Sequence, residues 1–245
     1  MKTKILISVL LFGIILTSCN KDIGIVGDKE IIEGEIQMPE INKINLMINA
    51  DIEIFKSDVQ EIRILAQQNI IDNISKEVVN GQWDIIFKEI VREHDGISII
   101  IYAPNVNGVS LSGPGTIISY DTLDTQTIDI LHNGDGELHY IAHCTDAQIN
   151  LKGSGILYLS GSSVNQTVNM TGSGHYQAFN FISESCNITN KGSGSAQIYC
   201  DNNLTGDIRG NAKVYYKGEP TISVDIRGNA KLINANKVKI TEILK

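Results

Sequence analysis

Apolar and polar residues alternate along most of this chain, and in its C-terminal half the alternation repeats with a fixed period. A Gly-x-Gly or Gly-Asn-Ala unit recurs at intervals of 18 to 21 residues. A period near twenty, held over seven units, is the pattern of a stacked repeat architecture. The first residues of the units are Gly113, Gly134, Gly153, Gly172, Gly192, Gly210 and Gly228.

Positions at equal distance from these glycines keep the same character in every unit. The position two residues after each first glycine holds only glycine or alanine, and the position four residues after it is apolar or aromatic. Polar residues separate these positions, which is the period-two pattern of strands with one buried face. Each unit is therefore predicted to contain one strand after its glycines and another strand before the next unit.

One coil of a parallel β-solenoid has about this length, and its coils stack at about 4.8 Å. The glycines would mark a tight corner, where a small inward residue lets each coil close against its neighbours. A β-propeller is the competing all-β architecture, but each of its blades needs about forty residues. The sequence thus predicts an all-β fold in which residues 113–245 form a solenoid with coils of about 19 residues.

Residues 31–112 alternate without the glycine repeat, and we predict a β-rich, partly antiparallel part that covers one open end of the solenoid. Asn80-Gly81, between Ile74–Val79 and Trp83–Ile90, is a strong hairpin signal. The pattern leaves open whether this part shares the solenoid core, and no helix is predicted. Further strands are expected at Ile31–Gln37, Lys43–Asn49, Asp51–Ser57, Glu61–Ala66 and Ile97–Ala103.

The first residues have the layout of an export signal. Lys2 and Lys4 precede the uncharged apolar run Ile5–Leu16, which is too short to span a bilayer. The small residues that follow lead into Cys19, and the stretch resembles a bacterial lipoprotein signal, in which this cysteine is the lipidation site. We therefore expect residues 1–18 to be a signal peptide and residues 19–30 a tether, with the chain held at the membrane by a lipid anchor at Cys19.

Charge and cysteine content narrow the functional classes. The formal net charge is −8, and removing Lys2 and Lys4 makes it −10. An acidic exported chain without a run of basic residues is not expected to have a nucleic acid partner. Beyond Cys19 the cysteines are Cys144, Cys186 and Cys200, an odd number, so at least one thiol stays unpaired. Cys186 and Cys200 differ in their offset from the glycines, which makes a disulfide between them unfavourable.

The arrangement resembles the head GIN domain family of auto-transporter adhesins. The resemblance lies in the stretch IYAPNVNGVSLSGPGTI at Ile101–Ile117 and the serial Gly-Ser-Gly and Gly-Asn-Ala units up to Ala230. It implies a right-handed parallel β-helix and a cell-envelope lipoprotein of the kind found in Bacteroidota, at the outer membrane. The adhesin label of the family implies a binding role but no mechanism.

The best enzyme-like feature is the repeated stretch DIRGNAK, which begins at Asp207 and again at Asp225. Its interval is 18 residues, one coil, so Asp207 should stack on Asp225 and Arg209 on Arg227, all pointing outward. Carbohydrate-active β-helices use such residues as acid and base or to bind uronates. We favour a surface charge ladder in which each Asp pairs with an Arg diagonally across the coils, because two near-identical repeats explain the cluster without chemistry.

A group of three histidines and a cysteine is a candidate metal site, but a weak one. His132, His139, His143 and Cys144 fall in one coil, but a tetrahedral site needs ligands that converge from neighbouring turns, and His132 falls in an inward position. We therefore expect no metal site and no cofactor. The serines of the Gly-Ser-Gly units have no histidine at the same offset, and nucleophile-elbow, phosphate-loop and dinucleotide motifs are absent from the sequence.

Outward aromatic residues are the candidate binding face. They fall at the fifth and seventh positions after the glycines, where they would contact a sugar or a protein, or else form ordinary cross-strand pairs. We expect a non-catalytic, adhesin-like envelope protein whose ligand is a cell-surface glycan or protein. The alternatives are a pectin-lyase-like enzyme and a periplasm-facing structural or ligand-binding lipoprotein. The candidate residues are Tyr120, Tyr158, Phe179, Tyr199 and Tyr215.

Overall fold

A computed structural model describes residues 24–28 and 30–237, so the predicted signal peptide and Cys19 lie outside the described residues. The N-terminal part contains nine strands and a short helix. These elements are β1 (Ile25–Val26), β2 (Ile31–Glu35), β3 (Lys43–Leu46), β4 (Asp51–Lys56), β5 (Glu61–Gln67), α1 (Gln68–Asn73), β6 (Val78–Val79), β7 (Gln82–Ile85), β8 (Val91–Glu93) and β9 (Ser98–Ala103).

The remaining strands follow from residue 108 onward. Four of them, β14 to β17, are 14 to 16 residues long, because each bends around a corner of the solenoid and serves two of its faces. The strands are β10 (Gly108–Leu111), β11 (Thr116–Ser119), β12 (Leu123–Asp124), β13 (Thr127–His132), β14 (Glu137–Leu151), β15 (Ile156–Met170), β16 (His175–Asn190), β17 (Ser195–Ile208), β18 (Lys213–Lys217), β19 (Thr221–Ile226) and β20 (Lys231–Asn234).

The strands form two long parallel ladders, which confirms the predicted right-handed parallel β-helix. The first ladder runs β7, β3, β10, β13, then the second halves of β14 to β17, and ends at β19. The second runs β9, β4, β11, then the first halves of β14 to β17, β18 and β20. Leu138 pairs with Leu157 and Leu157 with Tyr176, so one coil is about 19 residues.

The N-terminal part continues both ladders, but its coils do not stack in chain order. The pair β3 and β4 lies between β7 and β9 on one side and β10 and β11 on the other. Beyond β9 the second ladder turns antiparallel through β5 and then β2. The Asn80-Gly81 hairpin joins β6 and β7, with both turn residues at positive φ (51° and 76°) as a type I′ turn requires. The partly antiparallel cap is therefore confirmed.

The sequence pattern missed helix α1. Its six residues are too few to show a helical period, and a helix this short is stable only through tertiary contacts. Ile70 and Ile71 are buried against the core, and the side-chain amide of Asn73 bonds both backbone groups of Glu89 at 2.9–3.0 Å. These contacts, rather than local propensity, hold the helix in place.

One hydrophobic core runs from Ile36 to Val214, and it crosses the predicted boundary between residues 112 and 113 without a break. This answers the question that the sequence left open, while the boundaries themselves stay predictions. Trp83, Tyr140, Tyr176 and Phe181 are the largest fully buried side chains. At the far end, Ile222 of β19 is 44% exposed because no further described coil covers it.

The inward column of small residues is where the sequence placed it. A Cβ atom added at Gly155 would press against the carbonyl oxygen of Gly136 and lie 2.6 Å from Nε2 of His132. The neighbouring Ser154 is exposed. The corner at Gly155 therefore closes only because no side chain stands there.

Candidate binding surfaces

The five aromatic residues singled out in the sequence all lie on the outside of the solenoid, but the structure places four of them in three separate clusters and leaves Tyr215 apart. Tyr120 is 50% exposed and Tyr158 is 36% exposed, whereas the other three are partly buried. Tyr158 and Tyr215 share one outward column of the second ladder, with Gln177 and Gln197 between them. A continuous aromatic row is not formed, and a binding role for these residues stays a prediction.

The first cluster, which we call the aromatic stack, combines Tyr120 with two rings that the sequence analysis missed. Phe55 stacks on Tyr120 with ring centroids 4.9 Å apart and on Tyr102 with centroids 5.3 Å apart. Arg63 lies over the remaining face of Tyr102 at 5.6 Å. Both faces of Phe55 are therefore covered, so the stack presents ring edges to solvent and has little free face on which a sugar ring could pack.

The hydroxyl group of Tyr120 is the polar tip of this stack. It donates a hydrogen bond to Oε1 of Glu53 at 3.1 Å, and this bond raises the pKa of Tyr120 above its ordinary value. Phe55 and Tyr102 occupy outward positions of β4 and β9, which are register partners. Their alternation was visible in the sequence, but the pairing of these two strands was not.

The second cluster is the pair of His139 and Tyr158. Their rings stack with centroids 4.4 Å apart and an interplanar angle of 13°. Nε2 of His139 lies 2.6 Å from Oε1 of Glu137, which is two residues earlier on the same strand. In the third cluster, Lys217 places Nζ 4.5 Å from the ring centroid of Phe179, and Lys217 is also the register partner of Tyr199.

The histidines of the predicted coil point in different directions. His132 is fully buried, burial lowers its pKa, and neither ring nitrogen has a hydrogen-bond partner among the described residues. His143 instead lies at the surface, with Nδ1 2.9 Å from Oγ of Ser162. Within residues 24–28 and 30–237, no group of three His, Cys, Asp or Glu side chains is arranged to hold a metal ion.

The three cysteines of the described residues are free thiols, and none of them forms a disulfide. Cys186 and Cys200 are buried and Cys144 is half-buried. Burial raises the pKa of Cys144 to about 11, with a smaller contribution from Asp146, and burial also raises the pKa of Cys186 and of Cys200. These thiols are therefore protonated at neutral pH and poor nucleophiles.

The two DIRGNAK stretches stack as predicted, with Asp207 beside Asp225 in the register of β17 and β19. The ion pairs differ from the prediction. Asp207 bonds Arg209 of its own coil at 2.7 Å, and Asp225 bonds Arg227 in the same way. The diagonal pairing across coils was wrong, because residues two positions apart point to the same side of an extended chain and already place the two groups in contact. The bond from Arg209 lowers the pKa of Asp207.

The described surface has grooves that are shallow. One, of about 180 Å³, lies over Gly108 between Lys43 and Asp129 on the first ladder. Another, of about 310 Å³, lies between Gln60, Pro104 and Asn105. Ligand pockets usually hold about 300–1,000 Å³, so the first groove falls below this range and the second lies at its lower limit. No helix of the described residues is long and apolar enough to cross a membrane.

Comparison with known proteins agrees with this architecture. Crystal structures of putative adhesins from Bacteroides fragilis and Parabacteroides merdae each cover 86% of this chain. The first matches over 100% of its own chain with a TM-score of 0.79 and 24% identity. The second matches over 98% of its own chain with a TM-score of 0.71 and 19% identity.

A further structure, of a putative lipid binding protein from Parabacteroides distasonis, covers 85% of this chain and 98% of its own, with a TM-score of 0.63 and 20% identity. No curated protein matches this sequence. The family model described as "Putative auto-transporter adhesin, head GIN domain" matches residues 40–220, most of the chain. The chain therefore belongs to the head GIN domain family.

Proposed function

We propose that this protein is a non-catalytic, lipid-anchored protein of the outer membrane that binds a cell-surface glycan or protein through the outer faces of its solenoid. The observation that carries the proposal is the side-chain-filled solenoid, whose outward residues lie in register on successive coils. Such a face presents a side chain at about 4.8 Å intervals, which suits a polymeric or extended ligand. Membership of a family named for adhesins supports the same role.

The charged repeat supports binding better than catalysis. General acid and base need different environments, so that one group is protonated while the other is not. Asp207 and Asp225 are each ion-paired with the arginine two positions on, which favours the charged carboxylate at both positions. Neither carboxylate is singled out for a proton-transfer role, which is why we prefer a binding function to that of a pectin-lyase-like enzyme.

Lipid binding within the fold is the less favoured alternative. The related structure described as a lipid binding protein makes it relevant, but the interior of this chain is filled by side chains such as Trp83, Tyr140, Tyr176 and Phe181. An acyl chain would have to displace this packing, and core packing at native density resists insertion. The outer faces are therefore the better candidates for a ligand.

Protease treatment of intact cells tests the proposed location and role together. We expect added protease to remove the protein from the cell surface while a soluble periplasmic protein of the same cells survives. Cells that carry the protein should also bind a glycan-coated or protein-coated surface more than cells that lack it. Protection of the protein until the cells are lysed would show that it faces the periplasm, and the binding role at the surface would then be wrong.

A further inference from the structure

The charged residues are distributed unevenly along the chain. Residues 24–190 carry 22 acidic and 8 basic residues, whereas residues 191–237 carry 4 acidic and 7 basic residues. The coils from β13 onward stack in chain order. The molecule is therefore acidic along most of its length and basic in its last coils.

Five of these basic residues line one corner of the last coils, which we call the basic corner: Lys191, Arg209 and Arg227 at the turn, and Lys213 and Lys231 at the start of the next strands. The first three follow Asn190, Ile208 and Ile226, which are register partners on successive rungs. Lys213 and Lys231 are themselves register partners. The corner thus has two parallel columns of positive charge, separated by the Gly-Asn-Ala turns.

Only part of this charge is neutralised within the protein. Arg209 and Arg227 each pair with the aspartate two residues before. Lys191, Lys213 and Lys231 are exposed, and within the described part of the chain no carboxylate lies at ion-pair distance from them. Like charges on directly adjacent strands repel each other. An external anion would therefore stabilise the pair of Lys213 and Lys231 more than the arginines, which already have a carboxylate partner.

The basic corner also offers groups that suit sugar hydroxyls and sugar rings. The side-chain amide of Asn229 donates to Oδ1 of Asn211 at 3.2 Å, which leaves further amide hydrogens and lone pairs for a ligand. Tyr215 lies two residues after Lys213 on the same outward side of β18 and is partly exposed. Positive charge, amides and an aromatic ring occur together on this corner.

We propose that the basic corner binds an acidic polysaccharide, a polymer with carboxylate groups on its sugar rings. The inference rests on the proposed binding function and names the ligand class and the site for it. Carboxylates spaced along such a chain match lysines repeated on successive rungs, while hydroxyl groups match the amides between the two columns. Nucleic acid fits less well, because its phosphate backbone is more densely charged, and the acidic surface of the other coils would repel it more strongly.

The test uses the full chain with Cys19→Ser, so that no lipid is attached, and measures its binding to polygalacturonate at low salt. Neutral dextran is the matched uncharged polymer, and a DNA duplex is the alternative polyanion. The double variant Lys213→Ala/Lys231→Ala removes the strand column. Lys76→Ala/Lys88→Ala removes the same charge from exposed positions at the other end of the molecule.

We expect polygalacturonate to bind, salt to weaken the binding, and dextran not to bind. The Lys213/Lys231 variant should lose about three- to tenfold in affinity, as expected for two exposed ion pairs, and the Lys76/Lys88 variant should lose less than about twofold. Absence of binding by the unsubstituted chain, an equal loss in both variants, or tighter binding of DNA would each overturn the inference. If cells still adhere through the protein while polygalacturonate fails to bind, the proposed function stands and only this ligand assignment is wrong.

Discussion

Replacing Gly155 by valine should damage the solenoid far more than replacing its neighbour Ser154 by valine. At Gly155 the new Cβ would press against the carbonyl oxygen of Gly136 and lie 2.6 Å from Nε2 of His132, whereas real Cβ atoms do not come closer than 3.0 Å. The oxygen cannot retreat freely, because it accepts a hydrogen bond of 3.1 Å from the backbone of Ile156. Ser154 is exposed, so valine there meets solvent.

The magnitude follows from these two contacts. Overpacking a well-filled site costs about 1–3 kcal/mol, and loss of the Ile156 hydrogen bond would add about 1 kcal/mol. The free energy of unfolding should therefore fall by about 2–4 kcal/mol in the Gly155 variant. For a chain of this size that corresponds to a melting temperature lower by about 5–15 °C. The Ser154 variant should stay within about 0.5 kcal/mol of the unsubstituted protein.

Thermal and urea unfolding of both variants measure the difference, and a double variant identifies its origin. Gly155→Ala should cost less stability when His132 is already alanine, because one of the two obstructing groups is then gone. The contact with Gly136 would remain, so the rescue should be partial. Equal losses of melting temperature in the Gly155 and Ser154 variants would refute the assignment of this column to the interior.

Three further predictions concern the anchor, the buried histidine and the charged repeat. Cys19→Ser should convert the protein from membrane-associated to soluble in the envelope, because acyl chains are the proposed anchor; continued sedimentation with membranes after a salt wash would contradict the lipidation site. Burial lowers the pKa of His132 below its unfolded value of about 6.5, so stability should be full above that pH and decline as the pH falls through it. His132→Leu, which copies Leu111 and Leu151 of the adjacent coils, should reduce this decline between pH 7.5 and 5.5 in thermal unfolding, and an unchanged decline would assign it to other groups. Replacing Asp207, Arg209, Asp225 and Arg227 by serine should lower stability slightly and leave sugar turnover unchanged. If the unsubstituted protein released reducing sugars and this variant did not, the protein would be an enzyme.

The periodic features of the fold were readable from the sequence because they depend on short, repeated rules. The inward position of Gly155 and Leu157, and the turn at Asn80-Gly81, each follow from a local pattern. The order of the first coils was not readable, since the pairing of Ile44 with Trp83 joins strands about forty residues apart. That choice is decided by which arrangement buries the most apolar surface, and no local signal records it.

The two kinds of corner show how far the local rule extends. In the Gly-Asn-Ala units the first glycines, Gly210 and Gly228, both adopt φ of 76°, and Ala212 is accommodated in the small column. In the Gly-Ser-Gly units the first glycine is not at positive φ at Gly153 and has a φ of 116° at Gly172, and the third position stays glycine in both. The sequence predicted a small residue in both cases. The different turn that admits a methyl group became visible only in the backbone.

Predicting the contacts on the surface required knowledge of the strand register even more than predicting the core did. The interval of 18 residues was enough to stack Asp207 on Asp225, but the partner of each aspartate was decided within one coil, by the arginine two positions on. That outcome changes which charges are left for a ligand. Because each pair is closed within its own coil, Lys213 and Lys231 remain adjacent and without a carboxylate at ion-pair distance in the described chain, and an external anion would relieve their repulsion.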